Sequence, residues 1–293
     1  MRTAAIFGTG LIGSSFGLAL RAAGFSGDIL GVSSQPAIEA AMRAGAIDQA
    51  ATLEDAARAA DLVFLAQPVR RIIQTLGELN SFVRPDAIIT DAGSTKGAIT
   101  RTAAEHISAC TFIGGHPMAG AESRGAEAAD ANLFQGRTWV LTPAHEADLH
   151  MPAAAGLLEW IRRIGARVVV MDPAQHDRTV ALSSHLPQLA STALAAALLL
   201  GQRSQDISVF GPGLLDMTRL ALSPFDLWND VLATNGEAVA SALDRFIEEL
   251  SLLREVLERG DERELGSIFQ QAQQLARQIR TERNPRGQSL SCG

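Results

Sequence analysis

The feature that most constrains this chain is a glycine motif close to its N-terminus. The segment Gly8-Thr9-Gly10-Leu11-Ile12-Gly13 follows an apolar segment ending in Ile6-Phe7 and precedes a helical pattern. Glycines at this spacing allow a tight turn, a close approach of the backbone to a pyrophosphate and close helix–strand packing. Free N–H groups at the helix N-terminus favour an anion. We therefore expect a dinucleotide to bind at Gly8, Gly10, Leu11, Ile12 and Gly13, with a purely structural glycine turn as the alternative.

Short apolar segments alternate with helical patterns through the first 171 residues, which indicates a parallel, doubly wound sheet of the Rossmann type. The first predicted strand ends at Phe7, and the others cover residues 28–32, 61–66, 86–91, 111–115, 137–141 and 167–171. The predicted helices between them cover residues 11–23, 36–44, 69–83 and 96–107.

The pattern changes after Asp172-Pro173, where strand signals end and long helical stretches begin. These stretches cover about residues 174–200, 213–221, 224–259 and 261–280, and the tail at 284–288 is predicted to be frayed. We predict a dinucleotide-binding Rossmann domain over residues 1–171 and an all-α domain over residues 172–293. By analogy with other two-domain proteins of this kind, the helical domain binds substrate and forms a homodimer.

Composition excludes several classes of function. A net charge of −7 argues against a nucleic-acid surface, and two cysteines are too few for a disulfide scaffold or a cysteine-rich metal site. The most apolar run, residues 189–200, is shorter than the roughly 20 residues that span a bilayer. The N-terminus carries no apolar leader before the glycine motif. We therefore expect a cytoplasmic protein that acts on a small molecule and binds neither nucleic acid nor membrane.

The end of the second predicted strand bears on the choice between NAD and NADP. A carboxylate at this position holds the ribose 2′-hydroxyl of NAD. Here the strand runs into Ser33, Ser34 and Gln35, so no acid repels a 2′-phosphate and three side chains offer hydrogen bonds to it. No arginine lies adjacent. The sequence favours NADP or dual use.

One lysine stands out among the basic residues. Of 25 lysines and arginines only Lys96 is a lysine, and the chain has no tyrosine. A dehydrogenase that uses a tyrosine–lysine pair is therefore excluded. Because an ammonium and a guanidinium differ in shape, hydration and hydrogen-bond geometry, we expect Lys96 to hold a loop carbonyl or to assist an anionic ligand.

Two segments at predicted strand ends carry reactive side chains. They are residues 91–96 (DAGSTK) and 114–123 (GGHPMAGAES), at the sheet edge where open α/β proteins bind their ligands. Together they place a hydroxyl, an ammonium, an imidazole and a carboxylate near a bound nicotinamide. A lone histidine in a loop is usually structural, but the position of His116 between a glycine pair and a proline favours catalysis.

These two segments, together with Ser184-His185-Leu186-Pro187 and Asp216-Met217-Thr218-Arg219, resemble the prephenate/arogenate dehydrogenase family of the tyrosine pathway. The resemblance covers nearly the whole chain. It implies NAD(P)-dependent oxidative decarboxylation of prephenate to 4-hydroxyphenylpyruvate, without a metal. It also implies that His116 accepts the hydroxyl proton, that Ser94 orients His116 and faces the nicotinamide, and that Arg219 holds the ring carboxylate. The other substrate-binding residues expected are Lys96, Glu122, Ser184, His185 and Gln188.

Three alternatives remain open. Arogenate carries an ammonium where prephenate carries a keto group, so a pocket carboxylate favours arogenate. The segments 184–188 and 218–223 offer none, although Glu122, Asp216 and Asp226 are nearby, and we favour prephenate. A β-hydroxyacid dehydrogenase resembles this chain in its two parts but requires a lysine in the helical half, which is missing here. A catalytically inactive nucleotide sensor need not keep Ser94, His116 and Arg219 together.

Overall fold

A computed structural model describes residues 1–121, 123–201 and 209–283. Eight strands form one sheet in the order β3-β2-β1-β4-β5-β6-β7-β8. The strands are β1 (Thr3–Phe7), β2 (Asp28–Val32), β3 (Gln49–Ala50), β4 (Leu62–Leu65), β5 (Ile88–Asp91), β6 (Thr111–Pro117), β7 (Thr138–Pro143) and β8 (Arg167–Val170). The first helices are α1 (Leu11–Ala22), α2 (Gln35–Arg43), α3 (Leu53–Ala59), α4 (Val69–Leu79), α5 (Gly97–His106) and α6 (Pro152–Arg163). The later helices are α7 (Pro173–Val180), α8 (Leu186–Gly201), α9 (Pro212–Thr218), α10 (Phe225–Thr234), α11 (Gly236–Arg259) and α12 (Glu262–Arg283).

The central strand β4 is apolar throughout because both faces of the sheet are covered. In β4 every residue is buried; Leu62 and Phe64 join one apolar core, and Val63 and Leu65 join the other. Successive side chains of a strand point to opposite faces, so a continuous apolar run supplies both cores. The Rossmann-type architecture predicted from the sequence is confirmed.

The sheet departs from the prediction at one pairing. Strand β7 runs antiparallel to β6, while the other pairings are parallel. The connection between these two strands holds only a short 3₁₀ turn at Ala126–Ala128 among its described residues. A parallel pairing needs a long crossover connection, usually a helix, which this segment lacks. The expectation of a wholly parallel sheet was therefore wrong for this pair.

Several boundaries also differ from the sequence prediction. Strand β6 extends to Pro117, so His116 lies inside the strand rather than after it. Strand β3 and helices α3 and α6 were not predicted. The predicted helix over 174–200 contains a π-helical turn at Ala181–His185, and the stretch over 224–259 divides at Asn235. The tail at 284–288 lies outside the described residues.

The chain divides into two compact units, Met1–Val239 and Ala240–Gly293. The first unit contains the whole sheet and helices α1 to α10. The second consists of most of α11 together with α12. Within the described ranges, none of the helices has the length and apolar character needed to cross a membrane.

Candidate active site

The glycine motif forms the turn between β1 and α1. Gly8 has φ +91°, and a Cβ there would lie 2.5 Å from the carbonyl oxygen of Ala66. A Cβ on Gly13 would lie 2.0 Å from the oxygen of Gly8, whereas Gly10 faces open space. Gly10 precedes the first turn of α1, whose N–H groups are free of side-chain caps. The loop thus leaves room at the position where the pyrophosphate of a dinucleotide approaches, and its residues fit that group.

A cleft of about 350 Å³ opens beside this loop. Its walls come from the glycine motif, the ends of β4 and β5, the segment after β6, and helix α10. The lining includes Gly10, Ser94, Arg124, Asp226 and Asp230. Ser94 is partly exposed here, as expected for a residue that faces a bound nicotinamide.

The residues expected to contact the ribose lie at the end of β2. Ser33, Ser34 and Gln35 are all exposed, and Ser34 directly precedes α2. The amide of Gln35 donates a hydrogen bond to Glu39, 2.9 Å away and one turn further along the helix. The hydroxyls of the two serines therefore remain available to a ligand.

Lys96 is completely buried in the segment between β5 and α5, and its position corrects one expectation. Its ammonium pairs with Asp91 and donates to the carbonyl of Gly115 at 2.7 Å. Burial lowers the pKa of Lys96, while Asp91 and Asp177 oppose that shift. Because the side chain is enclosed and engaged by these partners, Lys96 does not bind substrate directly. It holds the strand at the residue before His116.

His116 projects from the carboxyl half of β6 and is partly buried. Its Nδ1 lies 2.8 Å from Nε2 of His176 on helix α7. Removal of the ring from water lowers the pKa of His116 well below 6.5, and the nearby His176, Lys96 and His185 lower it further. A neutral imidazole at the carboxyl edge of the sheet is suited to accept a proton.

The partner of His116 differs from the one expected. Ser94 makes no hydrogen bond to another described residue, so the expected bond from Ser94 to His116 is absent. His176 occupies that role at Nδ1. His176 is fully buried, and its own Nδ1 lies 2.8 Å from Oδ1 of Asp177.

His176 and Asp177 were not predicted from the sequence. Asp177 also accepts hydrogen bonds from the backbone N–H groups of Lys96 at 2.7 Å and Gly97 at 2.8 Å, at the start of α5. These bonds tie α7 to the loop that carries Ser94. The only available signal was a pair of adjacent titratable residues in a helix, and a local pattern does not tell which of them becomes buried.

His185 lies in the π-helical turn, and Ser184 beside it is partly buried. Such widened turns are frequent at functional sites. The side-chain N–H of Asn235 is 3.3 Å from Nδ1 of His185 and 2.9 Å from the carbonyl of Asp177. Burial lowers the pKa of His185 to about 4. The ring is therefore neutral at pH 7, and with Nδ1 accepting from Asn235, its Nε2 carries the hydrogen.

Gln188 has a different task from the one expected. It is buried, and its amide donates to the carbonyl of Leu220 at 2.8 Å and contacts Thr192 at 3.4 Å. Both amide hydrogens are therefore used inside the protein. Gln188 thereby holds the 3₁₀ turn Arg219–Leu222 against α8, and Arg219, the first residue of this turn, is exposed.

Two ion pairs join α10 to the walls of the cleft. Asp226 lies 3.3 Å from the guanidinium of Arg124, and Asp230 lies 3.3 Å from that of Arg70. Both aspartates line the cleft and both are engaged by a cation. Glu122, expected at the mouth of the site, lies outside the described residues.

Comparison with known proteins agrees with this architecture. Residues 16–170 match the profile of the prephenate dehydrogenase nucleotide-binding domain, and residues 172–271 match that of the prephenate dehydrogenase dimerization domain. The chain belongs to the prephenate dehydrogenase family. It is therefore an oxidoreductase, and its first domain is one that binds a nicotinamide dinucleotide.

Individual members of the prephenate dehydrogenase family extend this result. A prephenate dehydrogenase of Lactococcus lactis is 30% identical over 286 residues, which cover 94% of this chain and 77% of that protein. The A. aeolicus prephenate dehydrogenase, solved with hydroxyphenyl propionate and NAD+, has a TM-score of 0.86 and 31% identity, covering 95% and 98% of the two chains. A Synechocystis arogenate dehydrogenase has a TM-score of 0.83 and 31% identity, covering 94% and 99%.

Proposed function

We propose that this protein catalyses the NAD(P)-dependent oxidative decarboxylation of prephenate to 4-hydroxyphenylpyruvate. The observation that carries the proposal is the neutral imidazole of His116 at the sheet edge that also bears the glycine loop. Prephenate has a ring carboxylate, a C4 hydroxyl and a pyruvyl side chain. The reaction needs a base for the hydroxyl and receptors for two carboxylates, and it needs no metal.

His116 accepts the proton of the C4 hydroxyl. A bound nicotinamide supplies the chemistry of a hydride acceptor, and loss of the ring carboxylate as CO2 restores aromaticity. General base catalysis of this kind contributes about 10²–10⁴-fold to the rate. The low pKa of His116 supports this role, because the ring is unprotonated at neutral pH and free to take up the proton.

The remaining site residues bind and orient the substrate. Arg219 holds the ring carboxylate through the two-pronged geometry of its guanidinium. The N–H of neutral His185 donates to an oxygen of the substrate, with Ser184 beside it. Ser94 faces the nicotinamide from the wall of the cleft. Glu122 is kept as a substrate-binding residue on the sequence motif alone.

The charges around the cleft favour prephenate over arogenate. An ammonium on the substrate side chain requires a carboxylate that is free to pair with it. Asp226 and Asp230 are the described carboxylates that line the cleft, and each already pairs with an arginine. The similarity to an arogenate dehydrogenase keeps arogenate as the second candidate.

For the cofactor we propose dual use of NAD and NADP. Ser33, Ser34 and Gln35 present no carboxylate to a 2′-phosphate, and no arginine is adjacent to attract it. Discrimination between the two cofactors should therefore stay below about 100-fold, or about 2.7 kcal/mol.

We further propose a homodimer built from the helical part after residue 171. The match to a dimerization domain supports this, as do the apolar side chains that the second unit exposes. These exposed side chains are Ile247, Leu250, Leu252, Leu257, Phe269, Leu275 and Ile279.

The deciding experiment is a steady-state assay of nicotinamide reduction with prephenate and with arogenate, each with NAD and NADP. We expect turnover of prephenate with either cofactor, with 4-hydroxyphenylpyruvate and CO2 formed in equal amounts. A clear preference for arogenate would replace the substrate assignment, and no turnover of either compound would contradict the proposed function. Light scattering of the same sample tests the dimer.

A further inference from the structure

A hydrogen-bonded pair of imidazoles, one partly and one fully buried, connects the proposed base to helix α7. The rings of His116 and His176 meet edge to face, with centroids 5.1 Å apart and Nδ1 of the first 2.8 Å from Nε2 of the second. His176 is fully buried and Asp177 is 8% exposed. A hydrogen bond so well removed from water has a defined donor and a defined acceptor, and the neighbouring groups decide which is which.

Asp177 sets the direction of the hydrogen bonds. Its two oxygens accept from the backbone N–H groups of Lys96 and Gly97, and these bonds, together with His176, lower the pKa of the carboxyl group although burial opposes them. The group is therefore an ionised carboxylate at neutral pH and only accepts. It follows that Nδ1 of His176 carries a hydrogen and donates it to Asp177.

With Nδ1 of His176 donating to Asp177, Nε2 of His176 is the acceptor in this arrangement, so Nδ1 of His116 carries the hydrogen between the two rings. The lone pair of His116 is then on Nε2, the nitrogen that faces away from His176. We propose that His176 and Asp177 are positioning residues that fix this tautomer of His116 and so aim an unprotonated Nε2 at the substrate hydroxyl. The catalytic part of this proposal rests on the proposed function; the tautomer itself does not.

The same arrangement serves both proton transfers of the reaction, from the substrate hydroxyl to His116 and from His116 back to the product. His116 Nε2 takes the hydroxyl proton as the C4–H bond breaks, and a bound nicotinamide would accept the hydride. When the bond to the ring carboxylate then breaks and CO2 leaves, its electron pair passes into the ring, and the phenolate oxygen takes the proton back. In between, His116 is an imidazolium whose Nδ1–H donates to His176. Asp177, which is hydrogen-bonded to His176, supplies the compensating negative charge.

The charged and titratable groups around His116 come from every element packed against it. They are Asp91 at the end of β5, Lys96 directly before α5, His176 and Asp177 on α7, and His185 in the π-helical turn. Lys96 is paired with Asp91, and His185 is neutral, so Asp177 is the anion that reaches the imidazole through a continuous hydrogen-bonded path.

Substitutions at His176 separate positioning from simple packing. His176→Gln keeps a hydrogen-bond acceptor near the position of Nε2, whereas His176→Leu keeps the side-chain volume and removes the acceptor. We expect the leucine variant to lower kcat by ~10- to 100-fold with little change in KM and to shift the acid limb of kcat/KM, and the glutamine variant to recover most of kcat. His150→Leu, at an exposed histidine, is the matched control and should behave as the natural protein.

Imidazole ¹⁵N NMR of histidine-labelled protein tests the tautomer without any turnover. The chain has six histidines, so the ring of His116 is identified by its loss in His116→Asn. We expect Nδ1 protonated and Nε2 unprotonated in the natural protein, and a mixture of tautomers in His176→Leu. A protonated Nε2 in the natural protein, or equal kcat in the leucine and glutamine variants, would overturn the proposal. If no substrate is turned over, the proposed function fails while the NMR result still decides the tautomer.

Discussion

The ammonium of Lys96 donates a hydrogen bond to the carbonyl of Gly115, 2.7 Å away, and Gly115 directly precedes His116. The same ammonium pairs with Asp91, which accepts backbone hydrogen bonds from Gly93 at 2.8 Å and Gly115 at 2.9 Å. The lysine thus joins the ends of β5 and β6 from inside the protein. This explains why the chain keeps a lysine here although its other 24 basic residues are arginines.

Lys96→Met should destabilise the protein strongly, because it leaves the carboxylate of Asp91 buried without its cation. Losing one partner of a buried ion pair costs about 3–5 kcal/mol. Lys96→Arg should also lose stability and activity, since the enclosed site has no space for a guanidinium. Denaturant unfolding and steady-state kinetics measure both effects.

The double variant Asp91→Asn/Lys96→Met is the control for this prediction. It removes both charges, so its free energy of unfolding should exceed that of Lys96→Met alone. Full activity together with natural stability in Lys96→Arg would show that the lysine is not required.

His116→Asn should reduce kcat by at least ~100-fold while leaving cofactor affinity unchanged, because the variant removes the base but does not touch the glycine loop. Asparagine retains a donor near the position of Nδ1, so the contact with His176 is preserved. Steady-state assays give kcat, and titration with the cofactor gives its Kd. His106→Asn, at the exposed end of α5, serves as control; near-normal turnover of His116→Asn would refute the role as base.

Stability should fall as the pH drops from 6.5 towards 4, in part through His185. Its pKa is about 4 in the folded protein against 6.5 ordinarily, so in that window the unfolded chain binds a proton that the folded protein does not. The contribution is complete above pH 6.5 and is lost at about 1.4 kcal/mol per pH unit below it. Unfolding near pH 7.5 and near pH 5 should show a smaller loss in His185→Gln; an equal loss in both proteins would contradict the assignment.

Arg219→Gln should raise KM for prephenate by ~10- to 100-fold, because a hydrogen bond to a charged group is worth about 1.5–3 kcal/mol. The change in kcat should be smaller, since the base is intact. Arg58→Gln, an exposed arginine on α3 that pairs with Glu54, is the matched control. An unchanged KM in Arg219→Gln would exclude the carboxylate role.

Local sequence patterns predicted much of the first unit. The glycine motif placed the turn between β1 and α1, and the apolar runs located β2, β4 and β5 within two residues. The same patterns failed where tertiary pairing decides. Nothing local distinguishes an antiparallel β7 from a parallel one, and β3, with two residues, exists only because it pairs with β2.

The sequence by itself determined the dinucleotide loop, the family and the identity of the proposed base, because each depends on residues close together in the chain. The tertiary structure alone decided what holds that base. His176 is 60 residues from His116 in the sequence. Asp177 accepts a hydrogen bond from the backbone N–H of Lys96, which is 81 residues away in the sequence. It also enclosed Lys96, which the sequence analysis had assigned to the substrate. Burial and hydrogen-bond pairing between distant residues arise from packing, which short-range patterns do not encode.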